Sequence, residues 1–237
     1  MGSEKARALT KAELESISNS FEDQGPEEVL RWTFDTFGDS VALSMSFGGA
    51  SGAVLLDVAA SIKPNMRVYY LDTDFLFPET YALVEKTAKR YRITPVAYKA
   101  HLSPEEQAKQ HGESLWLTNP DACCNIRKVE PNERALEGTD AWITGIRRDQ
   151  AQTRSHIGIV EWHEKSQMVK VNPVAHWTLK QIWDYILSNK VPYNTLLDQG
   201  YKSIGCTHCT RPVGEGDDER TGRWAGTDKI ECGLHVP

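Results

Sequence analysis

Apolar residues recur at two different periods along this chain, and the switches between them mark its elements. Helical spacing over 11–22 and 26–37 predicts two helices. Pro26 stands at a helix start, where its missing N–H costs nothing, and Gly38 follows as a stop. V-A-L-S-M-S at 41–46 reads as a strand and runs into Phe47-Gly48-Gly49-Ala50-Ser51-Gly52, then an apolar helix over 53–62. R-V-Y-Y-L-D at 67–72 is a second strand, Pro78 opens a helix over 79–91, and P-V-A-Y-K at 95–99 is a third strand. A helix over about 122–136, kinked by Pro131, precedes a fourth strand at 141–145. Val169 to Asn172 reads as a fifth strand and 178–189 as a further helix. Such alternation predicts an α/β fold, a mostly parallel sheet with helices on both faces. From about residue 200 glycines, charges and cysteines replace the periodic apolar residues, and Gly214 to Arg220 cannot bury a core. The expected organisation is one α/β domain over 1–210 and a mobile tail over 211–237.

Composition narrows the class. With 40% hydrophobic and 25% charged residues over 237 positions, the chain has the make-up of an ordinary soluble protein. It has no run of eighteen apolar residues and no apolar segment in M-G-S-E-K-A-R, so no membrane span or secretory signal is expected. The reading is cytoplasmic. There thiols stay reduced, so the five cysteines suit metal binding or catalysis better than disulfides. A net charge of −6 argues against a general nucleic-acid binder. Yet Arg127, Lys128, Arg134, Arg147, Arg148 and Arg154 crowd one stretch, and Arg211, Arg220, Arg223 and Lys229 recur in the tail. Local cation clusters in an acidic protein fit a small anionic ligand; solvated surface arginines are the plainer alternative.

Three features carry chemistry. A strand ending in Ser44-Met45-Ser46 enters a glycine-rich turn before a helix, an arrangement whose backbone N–H groups can cradle phosphate. Gly48 and Gly49 would let the backbone approach an anion, and Ser44, Ser46 and Ser51 could add hydroxyls. The loop has neither the Walker nor the Rossmann pattern, so a plain strand-to-helix turn stays open. Leu71-Asp72 closes the second strand, where α/β sheets gather ligands, although Asp72 would also serve as a turn or capping residue. The cysteines form the third feature. Adjacent Cys123 and Cys124 with the C-x-x-C pair Cys206 and Cys209 suit a 4Fe–4S cluster, whose separate irons adjacent ligands can reach, with zinc as the alternative. Cys232 stands apart in E-C-G-L-H, with His235 three residues on and Arg220, Arg223 and Lys229 before it. Such neighbours favour a reactive thiolate; a tail cysteine without a role is the alternative.

Together, C-C-N-I-R-K-V-E-P (123–131), T-G-I-R-R-D-Q (144–150) with T-R (153–154), G-Y-K-S-I-G-C-T-H-C-T-R-P (200–212), E-C-G-L-H (231–235) and L-D-T-D-F-L-F-P-E-T (71–80) resemble the sulfonucleotide reductases of assimilatory sulfate reduction. These act on adenylyl sulfate (APS) or its 3′-phosphorylated relative (PAPS). The resemblance spans about residues 40–235. It implies an adenine nucleotide alpha-hydrolase-like (PP-loop) fold and reduction of APS to sulfite and AMP, with thioredoxin as electron donor. It implies an S-sulfocysteine intermediate on Cys232, assisted by His235, and one 4Fe–4S cluster on Cys123, Cys124, Cys206 and Cys209. The implied substrate-binding residues are Ser44, Ser46, Gly48, Gly49, Leu71, Asp72, Lys128, Arg147, Arg154, Arg220 and Arg223. Cluster-bearing members of the family mostly use APS. One departure bears on that choice: many APS reductases carry an acidic pair, as in S-G-A-E-D, where this chain has Gly48-Gly49-Ala50-Ser51-Gly52. A loop without acids repels a 3′-phosphate less, so use of both APS and PAPS is a second expectation. An ATP pyrophosphatase would want S-G-G-x-D-S instead, and a non-catalytic iron–sulfur or zinc protein would leave Cys232 without a purpose. No nucleic acid or membrane partner is expected, and a homo-oligomer is left open.

Overall fold

The structure, a computed structural model, describes residues 9–214, 216–227 and 229–235. The remaining positions of the expected domain and tail lie outside the described residues.

Two helices, α1 (Lys11–Ser20) and α2 (Pro26–Phe37), precede β1 (Val41–Ser44). Helix α3 (Ala50–Ile62), β2 (Arg67–Asp72), α4 (Pro78–Tyr91) and β3 (Val96–Lys99) follow as the hydrophobic periods predict. The differences are local. Helix α3 starts at Ala50 rather than at 53, because its first turn, Ala50-Ser51-Gly52, carries no apolar signal of its own. Helix α5 (Pro104–His111), absent from the sequence reading, is closed by a capping box between Ser103 and Glu106. Short helices α6 (Leu115–Thr118) and α7 (Pro120–Cys124) run into a π-helical turn, Asn125–Val129, and then α8 (Glu130–Leu136). The π turn lies just before Pro131, where the ring removes an N–H from the ladder, so the expected kink takes the form of a π bulge. Strand β4 (Ala141–Ile143) is followed by β5 (Val160–His163), which sequence reading missed, and by β6 (Met168–Val171). Helix α9 (Leu179–Asn189) is capped by Thr178.

The six strands form one sheet in the order β3-β2-β1-β4-β6-β5. All pairs are parallel except β5 with β6, so the missed strand is the one antiparallel edge. One face carries the large core, where Val29, Leu30, Val54, Leu56 and Ala59 of α2 and α3 are sealed against β1, β4 and β6. Around Tyr69, Ala135, Leu136, Trp142 and Met168 lies a smaller core on the other face, and Leu234 of the tail packs against it. Chain order reverses on either side of β1, so a crevice opens at the carboxyl ends of β1 and β4, the position that suits a ligand in open α/β sheets. Among the described residues no helix is long and apolar enough to cross a membrane.

Candidate active site

The crevice holds a cavity of about 220 Å³. Its floor is Ser44 to Ser46 and Gly49 to Gly52. Gly49 caps α3 without a side-chain hydrogen bond, so the N–H groups of the first turn remain open to an anion. Ser44 and Ser46 both line the cavity. The Ser44 hydroxyl already accepts from Trp142 Nε1 at 2.8 Å and donates to the Ile143 carbonyl at 3.2 Å. Phe47 adopts a left-handed backbone (φ 52°) and is buried edge-on against Tyr70. This turns the loop so that Gly48 abuts residue 204: a Cβ there would lie 2.6 Å from the Ile204 carbonyl oxygen. Close approach of two backbones thus requires glycine at 48.

Of the residues expected to bind substrate, Gly49, Leu71, Lys128, Arg147, Arg154, Arg220 and Arg223 also line the cavity. Gly48 and Asp72 do not. The Asp72 carboxylate accepts from the Tyr81 hydroxyl at 2.7 Å and the Asp74 N–H at 3.0 Å, and pairs with Lys99 at 3.3 Å. Its carboxylate thus lies in the turn after β2, off the cavity lining.

The arginines divide into two groups. Arg147 is 1% exposed, and its nitrogens reach Asp149 (2.8 Å), Glu219 (2.6 Å) and the Ser51 hydroxyl. Arg154 is bound at all three nitrogens as well, to Glu231 at 2.9 and 2.8 Å and to Gln150 at 2.6 Å. By contrast Arg223 Nε is buried without a hydrogen-bond partner, and its guanidinium lies 4.5 Å from the Trp224 ring centroid. Arg220, Lys128 and Lys229 stand over the same indole at 5.5, 5.8 and 5.6 Å. Trp224 is 4% exposed and itself left-handed (φ 49°). Four cations thus gather at one indole, of which Arg220 is also paired with Glu231 and Lys229 with Asp121.

The tail delivers the expected nucleophile to this chamber. Cys232 and His235 both line the cavity. His235 stacks on Trp142 with centroids 5.3 Å apart and planes 16° apart, and its Nδ1 has no hydrogen-bond partner. Burial, with the charges of Lys170, Arg154, His163 and Arg220, holds its pKa well below the ordinary value, so the ring is neutral.

Beside it, Cys123, Cys124, Cys206 and Cys209 line a second, smaller cavity of about 10 Å³, closed by Phe75, Trp116 and His208. The Thr207 N–H bond to the Phe75 carbonyl at 2.8 Å ties the 206–209 segment to the loop after β2. Gln107 Nε2 lies 3.9 Å from Cys123 Sγ, and the Thr73 hydroxyl 3.3 Å from Cys206 Sγ. Burial pushes the Cys123 and Cys209 thiols up to about 11, each helped by cysteine neighbours. Thiolates are costly there unless a cation balances them. Among the described residues no group of three or more His, Cys, Asp or Glu side chains is gathered as a single metal ion requires. The four thiols instead surround a shared space, a soft donor set that fits a cluster. Lys128 lines both cavities and so stands between the thiols and the crevice.

Sequence reading did not find Glu219, Glu231, Gln150, Lys202 or Trp224. A carboxylate or glutamine in a polar tail gives no pattern signal, because its partner lies far off in sequence. Only Trp224 carried a hint: a large aromatic residue among glycines and charges needs somewhere to be buried.

Residues 40–212 match the phosphoadenosine phosphosulfate reductase domain. The chain is 46% identical over 224 residues to the adenosine 5′-phosphosulfate reductase of Shouchella clausii, covering 94% of this chain and 92% of that one. It is 43% identical over 234 residues to the protein of the same name from Salinibacter ruber, covering 98% and 92%. Among solved structures, the phosphoadenylyl-sulfate reductase of Candida auris in its phosphate complex superposes with a TM-score of 0.76 at 38% identity, covering 86% of this chain and 98% of that one. The FMN adenylyltransferase of Candida glabrata, at 16% identity and a TM-score of 0.58, covering 94% and 78%, shares the fold alone. Fold and relatives agree: the chain is an oxidoreductase of PP-loop architecture and belongs to the phosphoadenosine phosphosulfate reductase domain family.

Proposed function

We propose that this protein reduces adenylyl sulfate to sulfite and AMP in assimilatory sulfate reduction in the cytoplasm, with thioredoxin as electron donor. The observation that carries this reading is the convergence of the glycine loop, the Lys128–Arg220–Arg223 cations and the Cys232 thiol on one cavity. Relatives named adenosine 5′-phosphosulfate reductase, matched over nearly the full chain, favour APS.

In this mechanism the nucleotide phosphate meets the first turn of α3, and Lys128, Arg220 and Arg223 face the sulfate. The Cys232 thiolate attacks the sulfonyl sulfur. A sulfur–sulfur bond forms, the bond from sulfur to the bridging oxygen breaks, and its electron pair leaves with AMP. The cations offset charge growing on the AMP phosphate as it leaves. His235, neutral and stacked, can donate from a ring nitrogen to an oxyanion of the same group. One thiolate of reduced thioredoxin then attacks Cys232 sulfur and expels sulfite. Its second thiol resolves the mixed disulfide, so the dithiol supplies both electrons. Cys123, Cys124, Cys206 and Cys209 would hold a 4Fe–4S cluster, which supplies a fixed charge and a tie between α7 and the 206–209 segment.

A second reading, use of PAPS as well, is favoured by the loop, which has no acid between Ser46 and Gly52. Ser51 is buried and accepts from Arg147, whose charge is balanced by Asp149 and Glu219, so the loop itself carries no acid and no free cation. Sulfite release from APS and PAPS, measured side by side with thioredoxin, decides. APS is expected to be preferred, with measurable but weaker turnover of PAPS; outright preference for PAPS would reverse the assignment.

A further inference from the structure

Glu231, the residue before the expected nucleophile, joins the tail to the body of the protein. Its carboxylate accepts from Arg154 Nε at 2.9 Å and Nη2 at 2.8 Å, and from Arg220 Nη2 at 3.0 Å. Arg220 also donates to the Ile230 carbonyl at 3.0 Å. Arg154 lies 77 residues earlier, is 7% exposed, and gives its third nitrogen to Gln150. Burial pushes the Glu231 carboxyl up, but hydrogen bonds and charge from Arg154 outweigh it and hold the pKa below the ordinary range. Beyond Cys232 the chain turns at Gly233 (φ 87°), and Leu234 and His235 then pack on the smaller core and Trp142. Cys232 is therefore suspended between two anchors, one ionic and one apolar.

We propose that Glu231 is a positioning residue: its bidentate pair with Arg154 seats Cys232 over the cavity, and Arg154 holds the tail rather than substrate oxygens. The inference rests on the reading of Cys232 as nucleophile. Its physical basis is geometric. A fork-to-fork pair fixes both distance and plane, which a lone lysine contact would not. A tail containing Gly214, Gly216, Gly222, Gly226 and Gly233 otherwise spreads its thiol over many positions, which lowers its effective concentration at the sulfur under attack. For Arg154 to grip sulfate, Glu231 would have to leave a seat with no vacant nitrogen.

Glu231→Gln, Arg154→Met and the double variant test this through three measurements. The first is the rate of adduct formation on Cys232 in a single turnover with APS and no reductant. The second is APS affinity, with Cys232→Ser added to each variant. The third is hydrogen-exchange protection of residues 230–235 without substrate. Each single change should slow adduct formation about ten- to a hundredfold, with the double variant no slower than the slower single. Affinity should stay within about threefold of its unaltered value, and protection of the tail should fall in all three. If Arg154→Met weakens APS by about tenfold or more while Glu231→Gln reacts at the wild-type rate, Arg154 is a substrate ligand and the clamp is wrong. Unchanged protection would also overturn it. Wild-type protein that forms no adduct would instead refute the reaction reading, and the substrate-free exchange measurement would still decide the clamp.

Discussion

His235 shows how one side chain links the tail to pH. Its ring is sandwiched against Trp142, and burial and the neighbouring cations keep it neutral. In an undocked tail its pKa would return to about 6.5, the ordinary histidine value. The docked pKa is therefore the lower of the two, so protonation favours the undocked tail. Docking is fully stable above the undocked value and weakens as pH falls below it. The expected outcome is that protection of residues 230–235, corrected for intrinsic exchange, drops between about pH 7 and pH 5. In His235→Phe, which keeps an aromatic ring but cannot titrate, most of that drop should vanish. A pH dependence that survives the substitution would assign the effect to another group.

At the scale of elements, the hydrophobic periods carried most of the fold and the glycine loop carried half of the site. Strands β1 to β4 and the helices α3 and α4 between the first three follow from alternating apolar runs, because each must bury a face in the same sheet, whereas α5 and α6 between β3 and β4 do not. Strand β5 was missed since Val160-Glu161-Trp162-His163 is short and pairs only along one edge. The four cysteines were legible as a set because their spacing is itself the signal. The tail's ionic partners were not, because Glu219 and Glu231 acquire meaning only when folding brings Arg147 and Arg154 beside them. The cysteine segments yield a direct test. If the proposed cluster is held there, Cys124→Ser and Cys206→Ser should each lose iron and lower the unfolding temperature, since each ligand would join α7 to the 206–209 segment and cluster binding energy is also folding energy. Wild type should contain iron and acid-labile sulfide near four each per chain. Stoichiometric zinc without iron would contradict the cluster.

For the molecule as a whole, architecture and chemistry come from different parts of the chain. A parallel sheet of a fold shared with an adenylyltransferase opens the crevice at the carboxyl ends of β1 and β4. What distinguishes this chain is the segment after residue 200, which folds back across the sheet end: the Arg211 N–H reaches the Gly222 carbonyl at 2.9 Å, and the Trp224 N–H reaches the Cys209 carbonyl at 3.1 Å. That return path brings cations, a thiol and an imidazole to the cavity beside the glycine loop. Under the proposed mechanism thioredoxin would have to reach the Cys232 sulfur after the first step, and Cys232 is only half-buried. The most direct measurement of the central claim is the mass of the Cys232 peptide after incubation with APS in the absence of any reductant. A sulfite-sized addition on Cys232, released as sulfite by thioredoxin and absent from Cys232→Ser, is the expected result. An adduct on another cysteine, or turnover retained in Cys232→Ser, would contradict the account.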